Sequence, residues 1–530
     1  MQNERRLTLA ALFAFCILHS AFAAAAEPLR VGTITIRSID VFSRAEARKG
    51  WFYRAADALH IETKDSVIRK FLLFREGDLY RPERLAETER TLRTLHFLKS
   101  ASVTASGPHD GVVDITVTTQ DAWSIAPETQ AGNKGGESTY GASLTDTNLL
   151  GLGKEVSVSW DKSVDRTRLG FDYQDPALNS SFWTAHLAYG HNSDGYDHRV
   201  IVRRPFYSFA TPWAADFAYQ AFRQNDRLFA DGQTMAKFQQ EHKQVILAYG
   251  RAADPNDLRA NRATAGLRFT RDEFARLPSR PGDVLPEERE YRDVFARLDH
   301  VESEFVKMNF VNKDIRYEDF NLGEQRSLEL AFSPRAFGAR TNSAYVRGMA
   351  SAGHAFGSDG FILPWAAVES RFDGGPRNTI ASTNVFFVRR RREGDHPSAT
   401  VGRLVVNYGW RLNRELQFAA DGVTGLRGYR IHASAGSRSI VMNLEHRIHL
   451  GREVLQLASP GVVAFVDAGN ATNGGFGSLM RLKADVGVGI RIGLPRTPKK
   501  LLRLDVAFPL QRDGRGRRGV LVSVSSGQAF

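Results

Sequence analysis

The sequence predicts a mainly β protein. It reads as a transmembrane antiparallel β-barrel of about sixteen strands over residues 124–530, preceded by one small α+β domain over residues 27–123. Three observations carry this expectation: an export signal at the start, an unbroken block of two-residue alternation after residue 123, and a strand-like tail ending in Phe530. Composition agrees. The chain has 530 residues, 42% hydrophobic and 10% aromatic, with 46 Gly against 19 Pro. Its mean hydropathy of −0.32 excludes a polytopic helical membrane protein, which needs many long apolar runs. Its apolar content is ample for a core, which excludes a disordered chain.

The export signal comes first. Glu4-Arg5-Arg6 precedes an apolar run from Leu7 to Leu18, and small residues follow at Ala21, Ala23 and Ala26. A charged segment, an apolar segment and small residues at a cut, at Ala23 or Ala26, make a secretory signal over residues 1–26. The run is too short for a bilayer-spanning anchor. Cys16 is the one cysteine, so it is expected to leave with the signal, and a disulfide framework is excluded. The formal net charge of +12 is scattered. The run Arg389–Arg392 reads as a strand end or loop facing solvent or lipid headgroups, and without a reader motif no nucleic-acid partner is expected.

The segment 27–123 reads as β-α-α-β-β. Ile34 and Ile36 alternate with polar neighbours in a first strand. Val67, Ile68, Phe71 and Leu72 share one helical face, and Pro82 suits the first turn of a second helix striped by Leu85, Leu92 and Leu95. Val103 marks a second strand, and Val113, Ile115 and Val117 a third. This segment resembles the polypeptide-transport-associated (POTRA) domain through Val67-Ile68, Phe71-Leu72-Leu73, Glu76-Gly77-Asp78, Phe97-Leu98 and Asp121-Ala122-Trp123. The edge of such a sheet can pair with an extended peptide through backbone hydrogen bonds.

From residue 124 onward the period is two. Leu169, Phe171 and Tyr173 alternate with Gly170, Asp172 and Gln174, while Val486, Val488 and Ile490 alternate with Asp485, Gly487, Gly489 and Arg491. Alternation alone fits a soluble sandwich or a barrel in lipid. The export signal, the length of the block and the terminal aromatic favour the barrel, and about 25 residues per strand and connector gives the count of sixteen.

Several motifs in this block resemble the BamA/TamA-type outer-membrane assembly superfamily, also called the bacterial surface antigen family. Asp146-Thr147-Asn148-Leu149-Leu150-Gly151-Leu152-Gly153-Lys154 is similar to its first barrel strand. Leu426-Arg427-Gly428-Tyr429 resembles its Val-Arg-Gly-Phe/Tyr signature on a loop that folds back into the barrel, with Leu in place of Val. Phe465-Val466-Asp467-Ala468-Gly469 resembles its Phe-x-Asp-x-Gly motif. The tail with Val522, Val524, Gly527 and Phe530 is similar to the C-terminal insertion signal, with Phe530 expected to face lipid.

Parity puts Met442, Leu444 and Ile448 on the lipid side and Glu445 and Arg447 in the lumen. Arg427 is then expected to pin the returning loop to Glu445 and Asp467, because a desolvated guanidinium needs carboxylates in fork geometry. Gly428, Tyr429 and Gly469 complete the expected lock. No catalytic residue, metal ligand or cofactor is expected: there is no His-Glu-x-x-His and no Gly-x-Ser-x-Gly, and His191 and His198 flank a hairpin turn.

The resemblance implies a cell outer-membrane protein of a Gram-negative bacterium with its N-terminal domain in the periplasm. It would assist insertion or translocation of polypeptides, taking unfolded clients at the POTRA edge and at a seam between first and last strands. Asn148, Gly151 and Gly153 are expected on the first strand of that seam. Partners would be outer-membrane lipid and lipopolysaccharide, unfolded polypeptides, and periplasmic chaperones or accessory lipoproteins. Only one POTRA-like module is present, with no room before it for a plug helix, so a dedicated secretion role fits as well as general assembly. The alternatives are a passive channel or structural surface protein, and a barrel lipase or protease.

Overall fold

A computed structural model describes residues 28–42, 48, 60–134, 136–277, 285–313, 315–392, 396–450, 454, 457–496 and 501–530. The signal expected at residues 1–26, with Ala23 and Ala26, lies outside them.

The N-terminal module runs β1 (Arg30–Ile39), α1 (Asp65–Arg69), α2 (Pro82–Thr94), β2 (Leu98–Ala105) and β3 (Val112–Asp121). Its sheet has the order β1-β3-β2, with β1 parallel and β2 antiparallel to the central β3. The apolar stripes read from the sequence meet here: Val67, Ile68, Leu85, Leu92, Ile115 and Val117 share one buried cluster. Pro82 opens α2, where its missing N–H costs nothing.

The remaining strands close a barrel. They are β4 (Ile125–Lys134), β5 (Glu137–Asp146), β6 (Glu155–Lys162), β7 (Thr167–Asp175), β8 (Thr184–Asn192), β9 (Gly195–Arg204) and β10 (Trp213–Ala230). Next come β11 (Gln233–Ala253), β12 (Arg259–Arg276), β13 (Arg289–Glu302), β14 (Phe305–Met308), β15 (Glu318–Asn321), β16 (Gln325–Ser333), β17 (Ser343–Ser351), β18 (His354–Ala355) and β19 (Gly360–Phe372). The series ends with β20 (Pro376–Arg391), β21 (Ser398–Trp410), β22 (Phe418–Ala419), β23 (Ala435–Gly436), β24 (Arg438–His449), β25 (Ser459–Thr472), β26 (Lys483–Gly493), β27 (Leu501–Pro509) and β28 (Leu521–Ser526). The hairpins β14–β15 and β22–β23 stand outside the ring.

Twenty-one strand segments make up the ring, with β17 and β18 successive lengths of one stave against β19. That corrects the expected sixteen. The estimate assumed even spacing, but β4 to β9 occupy only residues 125–204, and two-residue turns join β4 to β5 and β8 to β9. His191 and His198 lie on that last hairpin, where His198 stacks between Tyr189 and Tyr196. Every described pairing between neighbouring staves is antiparallel.

The alternation sorts side chains by face. On β24, Leu444 is 51% exposed while its neighbours Asn443 and Glu445 are buried. Val488, Leu502 and Leu504 face outward in the same way, and Asp485, Arg491, Arg503 and Asp505 are buried inside. The outer wall is thus apolar and the interior charged, the inverse of a soluble barrel. No helix among the described residues is long and apolar enough to cross a membrane.

The module caps one end of the barrel. The turn that holds Asn148, Gly151 and Gly153 follows β5 and seats it. Asn148 donates to the Thr63 hydroxyl at 2.9 Å and accepts from Gly153 N at 2.7 Å, and Lys64 N donates to Gly151 O at 3.2 Å. Gly151 and Gly153 hold φ of 71° and 69°, and a Cβ on Gly151 would fall 2.5 Å from Glu62 O. Arg81 and Arg84 clasp Asp257 at 2.8 and 2.9 Å, after β11.

Asp121, at the end of β3, is buried in this joint and accepts from Thr63 N at 2.8 Å. Burial pushes its carboxyl up to about 6, against 3.8 unperturbed. The folded joint therefore holds a proton that the unfolded chain has released, so stability declines as pH rises from about 4 to about 6. Asp121→Asn is expected to flatten that slope, read as the pH dependence of proteolytic release of the module. A variant keeping the wild-type slope contradicts the assignment.

Candidate functional site: an ionic lock and an open seam

The connector between β21 and β24 lies at the end of the barrel away from the module and folds into the lumen. Asp421 organises it: its side chain accepts from Val423 N and Thr424 N at 3.0 Å each and from His432 N at 2.6 Å. Leu426 is fully buried with Ala420, Tyr429, Val441 and Ala471. That anchorage presents Arg427, 2% exposed, to the inner wall.

Arg427 makes a two-pronged fork with Asp467 on β25: Nε to Oδ2 at 2.7 Å and Nη2 to Oδ1 at 2.8 Å. Its Nη1 donates to Glu445 on β24 and lies 3.4 Å from Asp505 on β27. The guanidinium stacks over the Phe465 ring, 3.5 Å from its centroid. Asn443 fixes the acceptor by donating to Asp467 Oδ1 at 2.7 Å and to Gly425 O at 2.6 Å. Glu445 and Asp467 are diagonal rather than directly opposed, since Asp467 pairs with Asn443 and Glu445 with Phe465. One guanidinium spans both.

The glycines in these motifs are spatial requirements. A Cβ on Gly428 would lie 2.5 Å from the Asp485 Cβ, and one on Gly469 would lie 2.5 Å from Ile440 O. Tyr429 donates its hydroxyl to Ala484 O at 3.0 Å, tying the loop to β26.

The network is wider than the three residues expected. Arg447 donates to Glu445 at 2.7 Å, Arg491 Nη1 to Asp505 at 2.5 Å, and Arg503 Nε lies 3.4 Å from Asp505. Glu445, Asp467 and Asp505 thus pair with Arg427, Arg447, Arg491 and Arg503, and all seven are 7% exposed or less. Pairing of opposite charges makes this burial tolerable. The signal was present in the sequence: Asp485, Arg491, Arg503 and Asp505 sit at inward parity beside outward valines and leucines.

The ring closes weakly. Among the described residues, β28 meets β4 through one register pair, Val524 with Asn133, whereas β4 pairs with β5 along all ten of its residues. In that register the strand end at Ser526 stops opposite residue 131, on the module side of Asn133. This corrects the seam assignment: Asn148, Gly151 and Gly153 lie in the turn after β5, and the strand facing β28 is β4. Its sequence, rich in small and polar residues with Pro127, hides the period that marks the other staves.

The tail also departs from expectation. Val522 and Val524 face outward, 48% and 41% exposed. Gly527, at φ 81°, then turns the chain, so Phe530 packs on a lumenal apolar cluster beneath Arg447, 5.6 Å from its ring, rather than facing out. The arginine run is split similarly. Arg389 and Arg391 point out, while Arg390 is buried against Asn309 and Asp359 at 2.8 and 3.2 Å. No group of three or more His, Cys, Asp or Glu suited to a metal occurs among the described residues.

Arg427→Ala strands Glu445 and Asp467 in the wall and is expected to destabilise the folded barrel by about 3–5 kcal/mol. Arg427→Lys, which cannot form the fork, is expected to recover part of that. Thermal unfolding and protease cleavage within residues 411–437 read both. Wild-type behaviour of the alanine variant contradicts the lock.

No family model matches the chain, and no curated protein matches it. Among solved structures it is similar to BamA from Haemophilus ducreyi lacking POTRA domains 1-3, at 13% identity and a TM-score of 0.40, covering 93% of this chain and 84% of that one. It is also similar to CdiB from Acinetobacter baumannii, at 12% identity and a TM-score of 0.47 over 94% of this chain and 74% of that one. CdiB from Escherichia coli stands alike, at 12% identity and a TM-score of 0.46 over 94% and 76%.

Proposed function

We propose that this chain is an outer-membrane barrel that assists insertion or translocation of polypeptides, accepting client strands at the seam between β28 and β4. The observation that carries the reading is that seam's single register pair among the described residues. The apolar outer wall suits a hydrocarbon surround. In hydrocarbon an unpaired backbone N–H or C=O costs several kcal/mol, so a barrel is normally closed by hydrogen bonds all the way round. Here residues 125–127 have no register partner on β28 among the described residues, which leaves backbone edge for another strand. A client strand laid against that edge satisfies its own backbone and the host's together, with no demand on side-chain sequence. The edges of β1 and β2 in the POTRA-like module would receive the same clients first, on the periplasmic side.

In this scheme no nucleotide, metal or cofactor is used. Strand pairing and transfer of the client's apolar face into lipid supply the free energy, at roughly 25 cal/mol per Å² buried. The ionic network keeps β24 to β27 rigid, so that opening is confined to the weak joint.

A disulfide between Asn133→Cys and Val524→Cys would staple the seam, because these residues are register partners. With the staple formed, insertion of an unfolded barrel client into proteoliposomes is expected to fall at least tenfold, and reduction is expected to restore it. Full activity with the staple in place contradicts the seam reading.

A further inference from the structure

The connector between β13 and β16, residues 303–324, is far longer than its neighbours at the same end, and it turns into the barrel. It carries the hairpin β14–β15, whose four register pairs give it a fixed shape. The hairpin is held on three sides. Its apolar face, with Met308, Val311 and Leu322, packs on Phe361, Val388 and Val401 of the inner wall. Arg390 on β20 donates to Asn309 O at 3.1 Å, and Arg316 reaches Pro495 O at 2.7 Å, beyond β26. β20 and the end of β26 are four staves apart in the ring, and β20 is itself three staves beyond β16. The hairpin therefore crosses the mouth rather than lining one side of it.

The third holdfast is the N-terminal module. Arg93 on α2 grips Asp319 with two hydrogen bonds, Nε at 2.9 Å and Nη2 at 2.6 Å, and Lys307 donates to Glu89 at 2.8 Å. A cavity of about 560 Å³ lies between α2 and the hairpin, bounded by Arg90, Phe305 and Tyr317. The hairpin is also wired to the lock, because Arg447 donates to both Val311 O and Glu445.

We propose that residues 303–313 and 315–324 form a plug that closes the module-side mouth of the barrel, and that α2 is the latch that holds it. Movement of the module breaks the Arg93–Asp319 fork and frees the hairpin from one of its three supports. The module's position thereby sets how open the lumen is, and Arg447 passes the change to the network that holds the far loop. The proposal rests on the membrane reading above but not on any client.

The test is ion conductance of the full chain in planar bilayers of phospholipid. Asp319→Arg turns the fork into a repulsion and is expected to raise mean conductance several-fold. Adding Arg93→Asp restores the pair with reversed sign and is expected to return conductance to the wild-type level. In a separate variant, Phe320→Cys with Phe361→Cys joins positions whose rings lie 4.8 Å apart. Oxidation is expected to abolish openings of that variant, and reduction to restore them. Heat-dependent gel mobility confirms that each barrel is folded. Conductance unaffected by Asp319→Arg, with opening frequency unaffected by the disulfide, overturns the plug. A seam-dependent insertion activity that survives such a result would leave the functional reading standing on its own.

Discussion

The structure depends on keeping a guanidinium out of water. Arg427 is carried into the barrel on a long connector, where it has lost its hydration and found Asp467, Glu445 and Asp505 instead. Solvation lost by seven buried charges is recovered only if all partners stay in register. That demand propagates: it fixes β24, β25, β26 and β27 relative to one another, and it fixes the connector that supplies Arg427. Glycine at 428 and 469 follows from the same close approach, since a methyl group at either would collide with the facing strand.

Against that rigid sector stands a weak one. β28 is short, ends at a glycine in left-handed geometry, and shares one register pair with β4 among the described residues. A barrel wall with one rigid sector and one weak joint has a defined place to open. The module sits at the end where β28 stops, joined to the turn after β5 and the connector after β11. Seam, module and inward-folded hairpin therefore share one end of the molecule, while the lock is inserted from the other.

Much of this was legible in the sequence, and the limits have physical causes. The module's order and core were readable because helix and strand periods are strong there, in Val67-Ile68 and Phe71 and in Val113, Ile115 and Val117. The inward parity of Glu445, Arg447 and Asp467 was readable because valine and leucine mark the other face. The strand count was not, because β4 and β5 are nearly devoid of large apolar residues and their turns are tight. For the same reason Asn148, Gly151 and Gly153 read as a seam strand, while their conformation makes them a seat for the module. Period two places Phe530 outward, but the backbone turns at Gly527 and carries it inward. Nothing local marked residues 303–313 and 315–324 as lumenal, since their partners Phe361, Val388 and Arg447 are distant in sequence.

The central claim is that a client strand enters at β4. A photo-crosslinking residue placed at Glu128, on β4, tests it most directly during client assembly in proteoliposomes. The same probe at Phe217, on the outer face of β10, serves as the reference. The account predicts client adducts from position 128 that precede folding of the client, and few from position 217. Equal adducts at both positions, or none at 128 while the client folds normally, would contradict it.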